Sequence, residues 1–192
     1  MPPSGGISTW RVFPWDRKAP PGDPYSAEYV PVAQSAGRFD LDCRPPVLYL
    51  AETPEHAVAE KIQRYRGQQL TNAELREFGL PLAIVEATIT LTAAQIIVDL
   101  NDPRELVRYG FAPDKIMSKD RPITQGIARK LHTSGVAGFR NWSALSGDWH
   151  STVLFLDRLT LGINVTYDKP VPLDTNNPAV RAAARFLAVP VK

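Results

Sequence analysis

The spacing of apolar residues changes along the chain, and each change marks an expected element. STWRVFPW, Ser8 to Trp15, reads as a short strand with a bulky aromatic edge, and residues 16–27, rich in Pro, Gly, Asp and Ser, read as a loop. PPVLYLAE, residues 45–52, is a compact apolar run bounded by prolines, as in a buried strand. Thr53 then offers an N-cap and Pro54 a first helical residue. The helix they open continues through EHAVAEKIQRYR and stops at Gly67. Within it Val58, Ile62 and Tyr65 form the apolar stripe. At about 100° per residue Glu60 lies roughly 200° from Val58, on the far side, where Lys61 and Arg64 are its neighbours.

Further on, Thr71 stands three residues before Glu74 in TNAELREF, a capping box that predicts a short second helix. PLAIVEATITL and QIIVDL read as strands. NDPRELVRYG reads as a helix with Asp102 as N-cap, Pro103 at the first position and Gly110 as stop. RPITQGIARKLHTSG is a longer helix ending near Gly135. VAGFRNWS, STVLFLD and LGINVTYD are three strand candidates. NPAVRAAARFL closes the chain as a helix whose apolar face either docks a partner or, as favoured here, packs on its own domain. Helices and strands mix without strict βαβ alternation, which predicts an α+β fold rather than a doubly wound sheet. No glycine-rich phosphate loop of either standard type occurs. A length of 192 residues suits a single domain with a real core.

Composition narrows the function classes. The formal net charge is only +2, and the basic residues are scattered among acids, which argues against direct nucleic-acid binding. A single cysteine, Cys43, allows no internal disulfide and no cysteine-rich zinc site, and reads as a small buried apolar side chain. The N-terminus lacks the continuous apolar core of a signal peptide, and no stretch is long and apolar enough for a bilayer, so a cytoplasmic protein is expected. His56, His132 and His150 lack metal-ligand spacing and read as solvated or capping residues. Ser143 and Ser146 lack the G-x-S-x-G of a hydrolase elbow.

Four positions carry candidate chemistry. Arg38 follows Gly37 in a turn, where it is either a surface arginine or a planar fork for a diphosphate. Tyr49 is either a core residue whose hydroxyl finds one partner or a stacking face for a flat heterocycle. Glu60 reads as a solvated acid unless its face lines a cleft. Ser143, in GFRNWSALSG, either ends a strand or offers a hydroxyl to a ligand, and Ser146 rivals it.

Taken in order, AGRFD, VLYLAETPEHAVAE, PITQGIARKL and FRNWSA, after an opening WRVF, resemble the RES domain family, named for its arginine, glutamate and serine. The resemblance spans about Trp10 to Leu156 and implies residues 1–9 as an N-terminal extension before a RES domain at 10–192. It implies an ADP-ribosyltransferase-like fold of mixed β-sheets flanked by helices. It implies NAD⁺ as substrate, with no cofactor, cleaved by phosphorolysis with inorganic phosphate or by hydrolysis. The alternatives are transfer of ADP-ribose to a protein and a non-catalytic interaction domain. It also implies a bacterial toxin with an Xre-type antitoxin partner. By motif, Glu60 and Arg38 are the catalytic positions, and Arg38, Tyr49 and Ser143 bind substrate. Three residues depart from the pattern: Asp40 stands where many members have asparagine, Ala36 where a glycine is common, and Trp142 where proline precedes the serine.

Overall fold

The computed structural model describes residues 6–41 and 45–192. Cys43, read as a buried apolar side chain, lies outside the described residues. In chain order the elements are β1 (Ile7–Pro14), β2 (Val47–Ala51), α1 (Pro54–Ile62), β3 (Arg76–Glu77) and β4 (Leu80–Ile89). There follow β5 (Ile97–Asp99), α2 (Pro103–Tyr109), α3 (Pro113–Ile116), α4 (Arg121–Thr133), β6 (Gly138–Trp142) and β7 (His150–Phe155). The chain ends with β8 (Val165–Tyr167), β9 (Val171–Pro172) and α5 (Pro178–Leu187). This is the α+β class expected: mostly antiparallel strands with helices that do not alternate with them.

The chain divides into two compact units. The first contains, among the described residues, Gly6 and Ile7 and those of 30–50 and 89–166. Its strands neighbour one another in the order β2, β7, β6, β5. β6 and β7 form an antiparallel ladder from Gly138 opposite Leu154 to Trp142 opposite His150. β5 runs parallel to β6, with Asp99 opposite Arg140, and a parallel pair needs a long crossover. Here α2, α3 and α4 supply it. Their apolar faces (Leu106, Ile116, Leu131) join Phe39, Phe139 and Phe155 in one core. Phe39 meets Phe139 edge-on at 5.0 Å between centroids, the geometry aromatic rings favour.

The second unit contains Ser8–Tyr29, Ala51–Thr88 and Tyr167–Lys192. β4 pairs antiparallel with β3 and with β9, and β1 lies beside it. In β1, the Arg11 guanidinium donates to the carbonyls of Ala27 and Tyr29 at 2.7 and 3.1 Å, clipping the loop after it to the strand. α5 packs against α1, so the closing helix packs at home as expected, burying Val180, Ala183, Ala184 and Leu187.

One expected element does not form. Residues 71–78 form no helix: a turn leads into β3, and Phe78–Gly79 make a two-residue hairpin to β4, both with positive φ. Half of the capping box forms all the same, since the Glu74 carboxylate accepts from the Thr71 backbone N–H at 2.8 Å. Burial of Leu70 and Leu75, together with the hairpin, overrides the local helical preference.

Candidate functional site

Arg38 sits in a turn that is fastened from several directions, all within the first unit. The Gly37 N–H donates to Asp40 Oδ2 at 2.6 Å. The Tyr49 hydroxyl donates to Asp40 Oδ1 at 2.7 Å and accepts from the Phe39 N–H at 2.9 Å. From α4, Gln125 Nε2 donates to the carbonyls of Ser35 and Gly37 at 3.2 and 3.1 Å. Gln34 exchanges two hydrogen bonds with the Val47 backbone, so the segment is clipped to β2 as well. Glycine is obligatory at the start of the turn. A Cβ at Gly37 would stand 2.3 Å from Asp40 Oδ1 and 2.6 Å from the Tyr49 hydroxyl oxygen.

The Arg38 guanidinium is oriented in turn. Its Nε donates to the Ser118 carbonyl at 3.1 Å and its Nη2 to the Ile116 carbonyl at 2.5 Å, while its centre lies 4.9 Å from the Phe39 ring centroid. Two anchored donors set the plane of the fork. The arginine is therefore half-buried and held, not a free surface side chain beside a turn.

Tyr49 does what the core reading expected of its hydroxyl, which finds partners, and its ring packs partly buried against the apolar core. Burial, followed by the hydrogen bond to Asp40 and that carboxylate's charge, pushes the Tyr49 hydroxyl well above the ordinary tyrosine range. The group stays protonated and acts as a donor, not a base.

Ser143 directly follows β6 and is buried. Its N–H donates to the Trp149 carbonyl at 2.7 Å and its Oγ accepts from the Leu145 N–H at 3.1 Å, closing the loop that leads to β7. Ser146 repeats the second bond, accepting from the Asp148 N–H at 3.2 Å, in a more exposed place. The strand before Ser143 carries Arg140, paired with Asp99 at 3.1 Å.

Glu60 belongs to the second unit. Thr53 caps α1 by accepting from the His56 N–H, and Pro54 fills the first helical position, both as the sequence indicates. The Glu60 side chain is 42% exposed, on the side that periodicity assigns it. Its partners are not the expected ones. Lys61 and Arg64 bind Glu77, whereas Glu60 Oε1 lies 3.3 Å from His56 Nε2 and Oε2 accepts from Gln63 Nε2 at 2.9 Å. His56 is thus neither a solvated residue nor a side-chain cap: its ring is fully buried one turn before Glu60. Helical periodicity does not reveal this, because the ring turns inward with Ala57 and Val58.

Arg38 and Tyr49 are thereby joined through one turn, Ser143 lies in the same unit at a strand end, and Glu60 stands on a helix of the other unit. Asp40 and Gln125 are the holders that sequence reasoning missed. Gln125 lies some 90 positions from its partners, so no local pattern in the sequence joins them.

The RES domain family model matches residues 9–174. The chain belongs to the RES domain family. The match takes in all four positions, Arg38, Tyr49, Glu60 and Ser143. Among solved structures the chain is similar to one from the crystal structure of the M. tuberculosis MbcT–MbcA toxin–antitoxin complex. That likeness has a TM-score of 0.59 at 17% identity and covers 96% of this chain and 93% of the other. No curated protein matches in sequence. This RES domain has no helix, among the described residues, long and apolar enough to cross a membrane. Nor do its described residues include a group of three or more His, Cys, Asp or Glu able to hold a metal ion.

Proposed function

We propose that this RES domain protein is an NAD⁺-degrading toxin of a toxin–antitoxin system, acting in the cytoplasm on the nicotinamide–ribose bond. The observation that carries the reading is the family match across residues 9–174, which spans the four candidate positions assigned by resemblance, Arg38, Tyr49, Glu60 and Ser143. The likeness to a chain of a toxin–antitoxin complex supports an antitoxin partner.

The chemistry suits these side chains. Nicotinamide leaves as a neutral molecule from a cationic ribosyl–pyridinium, and positive charge then gathers on the ribose ring. A carboxylate beside that ring stabilises the charge and holds a ribose hydroxyl, the role assigned to Glu60. Removing one such preorganised group costs on the order of 100-fold in rate. Arg38, its plane already set, grips a phosphate group through charge-assisted bonds. The Tyr49 ring stacks on nicotinamide while its hydroxyl keeps the Arg38 turn closed. Ser143 orients a ribose or phosphate oxygen. Phosphorolysis and hydrolysis differ only in the nucleophile, inorganic phosphate or water, that captures the ribosyl cation.

Incubation of the purified protein with NAD⁺, with and without phosphate, tests the reading through nicotinamide release and product masses. Release that requires phosphate identifies phosphorolysis. Release without it identifies hydrolysis, and labelled ADP-ribose on a protein identifies a transferase. Intact NAD⁺ in every case leaves a non-catalytic interaction domain.

A further inference from the structure

We infer that a groove in the second unit, beside α5, is a binding site for a phosphate-bearing small molecule. The groove has a volume of about 440 Å³, within the range of roughly 300–1,000 Å³ usual for small-molecule sites. Thr175, Asn176, Arg181, Arg185 and Lys192 line it, with Val189 and Val191 as an apolar wall. No Asp or Glu side chain is among the lining residues.

The groove is open and its charged residues are exposed, but several of its donors are arranged to face it. Arg181 is set in place: its Nε donates to the Thr175 carbonyl at 3.2 Å and its Nη2 to Asn176 Oδ1 at 2.8 Å. Arg185 follows one helical turn later, so α5 directs two guanidinium groups to one side, an arrangement that costs helix stability when no anion answers it. Neither Arg185 nor the Lys192 ammonium has a side-chain partner among the described residues. Thr175 is more than nine-tenths buried. Its N–H donates to Asn72 and its carbonyl accepts from Arg181, yet its hydroxyl bonds to no described residue.

Two planar forks, an ammonium and a hydroxyl match a dianion with several acceptor oxygens, which favours phosphate over a lone carboxylate. The source is inorganic phosphate or a nucleotide, whose base and sugar the valine wall suits. None of the four family positions lines this groove, so the inference stands apart from the cleavage of NAD⁺.

Titration of ¹⁵N-labelled protein with inorganic phosphate and with ADP, at ionic strength held constant with sodium chloride, tests it. The amide signals of Thr175, Asn176 and Val189 are expected to move saturably with at least one of the two, and which one does so names the source. Arg181→Gln with Arg185→Gln is expected to weaken that binding at least tenfold, and Thr175→Val about threefold. Should the double variant unfold, Arg185→Gln alone carries the comparison, since its side chain holds nothing else. Shifts that chloride reproduces, shifts undiminished in the variants, or shifts confined to other residues overturn the proposal.

Discussion

The Arg38 turn and the Glu60 face of α1 carry two of the four candidate positions under opposite physical regimes. The turn is interlocked: Gly37, Asp40, Tyr49 and Gln125 satisfy one another's donors and acceptors, and there is no room for a methyl group. Glu60 stands on an exposed face, within reach of His56 and Gln63, and α1 buries a different set of side chains. Under the proposed function a substitution in the turn therefore acts on folding and activity together, whereas one at Glu60 acts mainly on activity, so the two regions separate stability from chemistry.

The comparison breaks most sharply at Glu60. Glu60→Gln is expected to slow nicotinamide release on the order of 100-fold or more while leaving the urea midpoint nearly unchanged. Equal release from both proteins would remove Glu60 from the chemistry. Gly37→Ala is the opposite case. Overpacking against Asp40 and Tyr49 is expected to destabilise the fold by about 3 kcal/mol, read by urea unfolding. Tyr49→Phe strips the turn of one donor and one acceptor and is expected to cost about 1–2 kcal/mol.

The smallest effect concerns how α1 is fastened. Burial pushes the Glu77 carboxyl upward, but Lys61 and Arg64 outweigh it and hold the group below its ordinary value. A folded-state pKa below the unfolded one gives stability that is present at neutral pH and lost as pH falls through the usual carboxylate range near about 4. Arg64 is half-exposed, so solvent screening keeps the expected contribution to about 0.5 kcal/mol. Glu77→Gln is expected to flatten the acid side of the stability curve by that amount.

Much of this was legible in the sequence where the signal is local. Thr53–Pro54, Asp102–Pro103 with Gly110, and Asn177–Pro178 all begin or end helices as their capping chemistry dictates. The side to which Glu60 projects also followed from helical geometry. What escaped depends on distant partners. The 71–78 segment has a helical start signal, but its fate is decided by burial and by the Phe78–Gly79 hairpin. The burial of His56 is decided by what packs against the inner side of α1, and the grip of Gln125 on Gly37 joins residues 88 positions apart. The four candidate positions were named through resemblance. The residues that hold Arg38 required coordinates.

The parallel pairing of β5 with β6 has a kinetic consequence. Ile97 meets Gly138 only after about 40 intervening residues have closed into a loop, whereas β6 and β7 are separated by a short connection. Loop closure must precede the contacts that reward it. The β6–β7 ladder can therefore zip early, with β5 docking onto it late. Ser143, which directly follows β6, would thus sit in a closed hairpin loop before β5 and the crossover helices complete their shared core.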